Sequence, residues 1–165
     1  IKYHLPENSH PVFAIVTSLD GKTLFNGNAN FKINIWDIQT ATITRTLTGH
    51  SFLVTALCLS RDGNTLFSGS GDYTIKIWDW RQGELKSTLT GHSYRVNSIV
   101  LSTDGLTLFS ASNDKTIKIW NWQTGELINT LEGHLGNVSS IAISPDGNYL
   151  FSASHDNTIK VWGLE

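Results

Sequence analysis

The sequence repeats itself at a fixed interval. Gly-His recurs as Gly49-His50, Gly91-His92 and Gly133-His134, a period of 42 residues without insertion. The same period carries Trp36, Trp78, Trp120 and Trp162, then Phe25, Phe67, Phe109 and Phe151, then Asp20, Asp62, Asp104 and Asp146. Four copies therefore fill the 165 residues end to end. Short units in tandem bury their cores against one another, which restricts the chain to stacked-repeat architectures.

Within one copy the periodicity is two. The runs VTALCLS (54–60), TLFSGS (65–70), TIKIW (74–78) and LKSTLT (85–90) are dominated by β-branched and apolar residues, the mark of strands. Between them RDGN, TDGL and PDGN carry Asp-Gly, and RQGE and QTGE place a glycine where the backbone needs a positive φ. No segment shows a helical apolar stripe with caps. Only 16% of residues are charged, against about 25% in typical soluble domains. Each copy thus reads as a four-stranded antiparallel sheet, apolar on both faces, that must be stacked between neighbours.

Gly-His, a gap, then S-x-S-x-D-x-T-I-K-I-W-D resembles the WD40 repeat, whose sheets are the blades of a β-propeller. The resemblance covers the whole chain and implies an all-β WD40 propeller domain over residues 1–165 with four blades of four antiparallel strands. The copies are 7–48, 49–90, 91–132 and 133–165, with 1–6 as the outer strand completing the last blade. The near-uniform copies, and turns such as QTGELINTL, also resemble bacterial and especially cyanobacterial arrays, which by analogy places the protein in the cytoplasm.

His50, Ser68 and Asp72 have the parts of a nucleophilic triad. The set recurs as His92, Ser110, Asp114 and as His134, Ser152, Asp156, each time with Trp six residues after the acid: Trp78, Trp120 and Trp162. One active site per structural repeat is not what an enzyme needs. The family resemblance implies instead a structural relay from Trp to Ser to His to the Asp of the turn between the second and third strands, satisfying polar groups that would otherwise be buried unpaired. A three-residue turn at Asp72 to Thr74 sets Ser68 opposite Trp78; a different loop length would bring in Ser70. In copy 1 the His, Ser and Asp positions hold Asn8, Asn26 and Asn30, so its blade is expected to be the least rigid.

Other features carry less. Gly69-x-Gly71 suggests half of a nucleotide loop, but a third glycine and a following helix are missing. His4, His10 and His155 stand outside the repeated position and read as surface residues, so no metal or other cofactor is expected. Trp80 and Trp122 share their position with Ile38 and Leu164, which points to packing. Asn137-Val138-Ser139 matches a glycosylation sequon, given little weight without a secretory signal. Twelve basic residues are scattered among fourteen acidic ones, so no footprint for nucleic acid or anionic membrane follows. Cys58 is the only cysteine, which excludes an intrachain disulfide and favours a reducing compartment. No apolar run approaches the ~20 residues that span a bilayer. The sequence begins at Ile1 and contains no Met, which reads as a segment or a processed chain.

Residues 1–6, IKYHLP, align with ITRTLT (43–48), an outer strand, whereas the last copy stops at its third strand, TIKVW (158–162). Wedges packed with Phe, Ile and Trp resemble those of rings with about seven or eight blades. The leading expectation is a homodimer closing an eight-blade ring, with residues 1–6 of one chain beside 157–163 of the other; a segment of a longer propeller is the close alternative.

The resemblance implies a non-catalytic protein-protein interaction scaffold. Partners of the family touch the ring end that carries the loop before the first strand and the second-to-third strand turn. In this sequence those positions are Pro11, Phe13 and Ala29; Leu53, Thr55 and Gly71; Arg95, Asn97 and Asn113; Asn137, Ser139 and His155. They differ from copy to copy, and Phe13, Leu53 and Arg95 are the expected anchors. The rivals are a duplicated or engineered repeat whose only partner is itself, and a propeller lectin or hydrolase, for which no copy-specific carboxylate or histidine set is present.

Overall fold

The computed structural model describes Leu5 and residues 10–164. The described residues form strands and turns with no helix, so no helix is long and apolar enough to cross a membrane. Fifteen strands follow in order: β1 Val12–Thr17, β2 Thr23–Asn28, β3 Ile33–Asp37 and β4 Thr42–Leu47; β5 Val54–Leu59, β6 Thr65–Ser70, β7 Ile75–Asp79 and β8 Glu84–Leu89; β9 Val96–Leu101, β10 Thr107–Ser112, β11 Ile117–Asn121 and β12 Glu126–Leu131; then β13 Val138–Ile143, β14 Tyr149–Ser154 and β15 Ile159–Gly163. Each group is one antiparallel meander, giving three four-stranded sheets and a three-stranded last one. The strand expected from residues 1–6 lies, apart from Leu5, outside the described residues.

The turns explain why the meander is tight. Glycine takes positive φ in the Asp-Gly turns and at Gly83 and Gly125, where an L side chain would be strained. Each of Asp20, Asp62, Asp104 and Asp146 bonds a serine hydroxyl two residues before it and a backbone N–H two residues after it.

The sheets stack in chain order through their innermost strands β1, β5, β9 and β13. Each seam joins the Phe-bearing face of one sheet to the Trp-bearing face of the next. Phe25, Ile33 and Ile35 meet Val54, Leu66 and Trp78; Phe67, Ile75 and Ile77 meet Val96, Leu108 and Trp120; Phe109, Ala111 and Ile117 meet Val138, Ile141 and Leu150. Trp80 and Trp122 stand edge-on to Phe25 and Phe67 of the preceding sheet, centroids 5.0 and 5.1 Å apart, and donate to Gly63 and Gly105 carbonyls. Burying such apolar area at ~25 cal/mol per Å² is the main source of stability in the stack.

The two outer faces of the stack lack this partner. On the Phe face of the last sheet Phe151, Ile159 and Val161 are 38, 74 and 59% exposed, while their counterparts Phe67, Ile75 and Ile77 are at most 2% exposed. On the Trp face of the first sheet Ile15 is 66% exposed, where Ile99 and Ile141 are buried; Trp36 is buried.

Candidate interaction face and its buried relays

Three copies carry the same chain of hydrogen bonds. Trp78, Trp120 and Trp162 donate Nε1–H to the hydroxyls of Ser68, Ser110 and Ser152 at 2.8, 2.8 and 2.9 Å. Each hydroxyl lies 2.8 Å from Nε2 of His50, His92 or His134. Nδ1 of the same rings lies 2.8, 2.6 and 2.8 Å from Asp72, Asp114 and Asp156. One donor order satisfies every member: indole N–H to serine, serine O–H to Nε2, and Nδ1–H to carboxylate.

The register of this chain differs from the sequence expectation. The loop is Gly71 to Tyr73 rather than Asp72 to Thr74: Ser70 pairs with Thr74, and Tyr73 N–H returns to the Ser70 carbonyl. Ser68 therefore stands opposite Lys76, and Leu66 opposite Trp78. The indole reaches Ser68 diagonally, two positions along the same face, which a large ring can span. The slip arises because Tyr73, with φ 73°, takes the left-handed position that closes the loop. Ser70 is left outside the relay, donating to the Phe52 carbonyl and accepting from Asp72 N–H.

The Asp of each relay joins two loops. Asp72 holds His50 and Ser51 N–H through one oxygen and Thr74 N–H and hydroxyl through the other. Burial pushes its carboxyl up, but the bonds from His50, Thr74 and Ser51 outweigh it and leave the group well below the usual carboxylate range. Asp114 is set by the same opposition, with His92 and Thr116 as donors. At Asp156 the Thr158 hydroxyl leads in lowering it. Gly91 belongs to this arrangement: a Cβ there would lie 3.0 Å from the Trp120 ring, and its φ is 154°. The serine hydroxyls are buried and already occupied by indole N–H, a poor setting for a nucleophile.

Copy 1 keeps only part of this. Asn26 Oδ1 accepts from Trp36 Nε1 at 2.6 Å, while Asn26 Nδ2 is buried without a partner. Asn8 lies outside the described residues; Asn30 caps its own turn at Lys32 N–H.

The copy-variable positions gather at the same end. The backbone N–H of Ala29, Gly71, Asn113 and His155 donates to the carbonyl of Pro11, Leu53, Arg95 and Asn137, at 2.8 or 2.9 Å, so each pair is adjacent. Phe13, Thr55, Asn97 and Ser139 are bulge residues, displaced from register by one extra residue in the innermost strand. The bulges aim them, with Arg95, Asn113 and His155, into a hollow of about 210 Å³ that draws on all four sheets. Sequence reasoning missed a second use of two of them. Thr55 donates to Val96 O and Asn97 to Val138 O, so both staple one sheet to the next. Leu53 is half-buried and lies outside this lining. Among the described residues no group of three His, Cys, Asp or Glu is placed to hold a metal; His4 lies outside them.

The family model "WD domain, G-beta repeat" matches three times, at residues 41–79, 83–121 and 125–163. The chain belongs to the WD40 family. No curated protein matches it. The WD40 matches are offset from the sheets: each begins at or near the outer strand of one sheet and runs through the first three strands of the next, so a WD40 repeat bridges two blades. Of the copy without the His and Ser of the relay, residues 7–40 fall outside the matched spans. WD40 repeats suggest a protein-interaction scaffold and are generally non-catalytic.

Proposed function

We propose that the chain is half of a scaffold: two copies close an eight-bladed propeller, and the end bearing the second-to-third strand turns docks a protein partner. The observation that carries the reading is the exposure of Phe151, Ile159 and Val161: the positions of Phe151 and Ile159 are buried in every other sheet, and that of Val161 is buried in the first two and partly buried in the third. Three seams already join a Phe face to a Trp face. The two faces left over are one of each kind, so two copies related by a two-fold axis would make two more such seams and leave none open. The inner staple fits as well. Ser139 donates to Ala153 O, as Thr55 does to Gly69 O, and the next seam would offer it the carbonyl of Val12 in the second copy. Among the described residues β15 pairs on one side only, and a strand of the neighbouring copy would cover its other edge.

Light scattering tests the assembly. A mass near twice the 18.3 kDa of one chain is expected, reduced to one chain by Val161→Asp. A wild-type protein that stays at 18.3 kDa and melts cooperatively refutes the half-ring and leaves the open faces to further repeats.

The relays take a supporting part in this reading. They couple the buried indoles to the loops of the docking end, so the variable residues are presented on a stiff base. Protein docking there is tested by mutating Arg95 and Phe13 together to alanine, with the mass and the circular dichroism spectrum unchanged and partner binding lost.

A further inference from the structure

The docking end carries an aromatic rim that the repeat does not call for. Phe31 and Tyr73 occupy the left-handed tip of the second-to-third strand turn, with φ of 70° and 73°. Lys115 and Asn157 hold that position in copies 3 and 4. Bulky rings are rare in this backbone region and asparagine is common, so two aromatics there are a strained choice of the kind found at functional surfaces.

Each ring is paired across a seam. Phe31 stacks on Phe52, centroids 5.6 Å apart and planes 20° from parallel, and Tyr73 leans on Tyr94 at 5.9 Å. All four remain open to solvent, between 37 and 57% exposed. Gly71 seats the first pair: a Cβ there would run into the Phe52 ring. Two aromatic platforms thus stand side by side over the first two seams, and the third seam, with Lys115 and Gly136, has none.

Charge divides between the ends. Among the described residues the exposed charges near the rim are Lys32, Arg95 and Lys115, against Glu132, because the three relay acids are turned inward onto histidine. The opposite end carries Asp20, Asp62, Asp104 and Asp146 in its turns, with Lys22 and Arg61 among them. Arg95 is aimed. Its Nε donates to Asn97 Oδ1 at 2.8 Å, and Asn97 is itself fixed by bonds of 2.7 Å to Asn113 Oδ1 and Val138 O. Arg95 lines the central hollow with Phe13, Asn113, Ser139 and His155, no carboxylate lines it, and Arg95 forms no ion pair among the described residues.

We infer that the partner of this face is an acidic, extended polypeptide segment, with a carboxylate on the Arg95 guanidinium over the hollow and ring side chains laid on Phe52 and Tyr94. Guanidinium matches a carboxylate in a two-bond fork, and aromatic platforms take proline and aromatic side chains of an extended chain at low entropic cost. The inference rests on the scaffold reading and adds the chemistry of the partner. Single-stranded nucleic acid also uses arginine and stacked rings, but it carries a phosphate at every nucleotide, whereas Arg95 is, among the described residues, the one Lys or Arg lining the hollow and suits a single carboxylate.

The test titrates the intact protein with three probes: a random copolymer of Glu and Tyr, a random copolymer of Lys and Tyr, and oligo(dT). The Glu-Tyr copolymer is expected to bind at least ~10-fold more tightly than the other two, and Arg95→Ala to weaken it by ~10-fold or more. Tyr94→Ser is expected to weaken it by about 10-fold with the circular dichroism spectrum unchanged. Equal or tighter binding of the Lys-Tyr copolymer or of oligo(dT), or indifference to both substitutions, overturns the inference. A displayed random-peptide library separates the two levels. Selected peptides that lose binding with Tyr94→Ser but are basic sink the acidic partner and keep the docking face; if neither the library nor any copolymer binds, both fall.

Discussion

Replacing Ser110 with alanine removes one oxygen that serves two buried groups. Trp120 Nε1 donates to it at 2.8 Å and His92 Nε2 faces it at 2.8 Å, and Trp120, Ser110 and His92 are 1, 0 and 7% exposed. Alanine has nearly the same shape, so the cavity contribution is small, and the cost is that of leaving an indole N–H and an imidazole nitrogen without partners. At ~1 to 3 kcal/mol for a group stranded in this way, partly relieved by relaxation, the loss is about 2 to 4 kcal/mol. In a domain of this size that lowers Tm by on the order of 10 °C. Urea unfolding followed by tryptophan fluorescence measures it, at one protein concentration because assembly adds to stability. Ser93→Ala, on an exposed side chain of the same loop, is the control and is expected to stay within ~0.5 kcal/mol of wild type. Trp120→Phe completes a double-mutant cycle. Once the indole N–H is gone the missing hydroxyl matters less, so the two substitutions are coupled by about 1 kcal/mol. A Ser110→Ala protein as stable as the control, or a cycle that adds with no coupling, refutes the relay in that blade.

Asn26→Ser lets a hydroxyl accept from Trp36 and removes the orphaned Asn26 Nδ2, so the unfolding free energy from urea titration rises by about 1 kcal/mol; an unchanged or lower value counts against the orphan as a cost. Amide exchange checks the blade directly, with β2 and β3 exchanging faster than β6 and β7 if the missing His and Asp loosen it. Asp72, Asp114 and Asp156 have folded values below the ordinary unfolded value of ~3.9, so their stabilisation is complete above about pH 4 and is lost as pH falls below it. A pH series of melts shows that loss weakened in Asp114→Asn, and an identical acid limb in wild type and variant would exclude Asp114 as a contributor. Tyr73→Asn relieves the left-handed tip and raises stability by up to ~1 kcal/mol, while binding of the Glu-Tyr copolymer weakens; a stability loss would show that Tyr73 is held by packing and not strained.

The period made most of the fold legible, because a spacing met three or four times is not an accident of composition. The same spacing at His92 and His134 speaks against a nucleophilic triad at His50, Ser68 and Asp72, and the relay that replaces it is what the WD40 resemblance implies. A turn at Asp72 to Thr74 places loop closure one residue late, since no residue type in the stretch marks Tyr73 as left-handed. The left-handed residue is Tyr73, and Gly71 is small for a steric reason, the Phe52 ring above it. The bulges at Phe13, Thr55, Asn97 and Ser139 have no signal within a strand, because one extra residue leaves the local alternation almost intact and shows only in the pairing with the next strand.

The open faces mark a different boundary of what residue identity contains. Phe151 and Ile159 are the same residue types as Phe67 and Ile75, in the same strands and at the same register positions, yet one pair is exposed and the other is not. Burial in a stacked repeat is conferred by the neighbour, so a repeated core residue specifies the kind of face that must cover it and not whether that face belongs to the same chain. Because every internal seam pairs a Phe face with a Trp face, the last blade asks for a Trp face, and the first blade presents one whose Ile15 is uncovered. The strongest specification of the partner for those outer faces is therefore the repeat itself, while the residues that break the repeat, Phe31, Tyr73 and Arg95, are the ones free to select anything else.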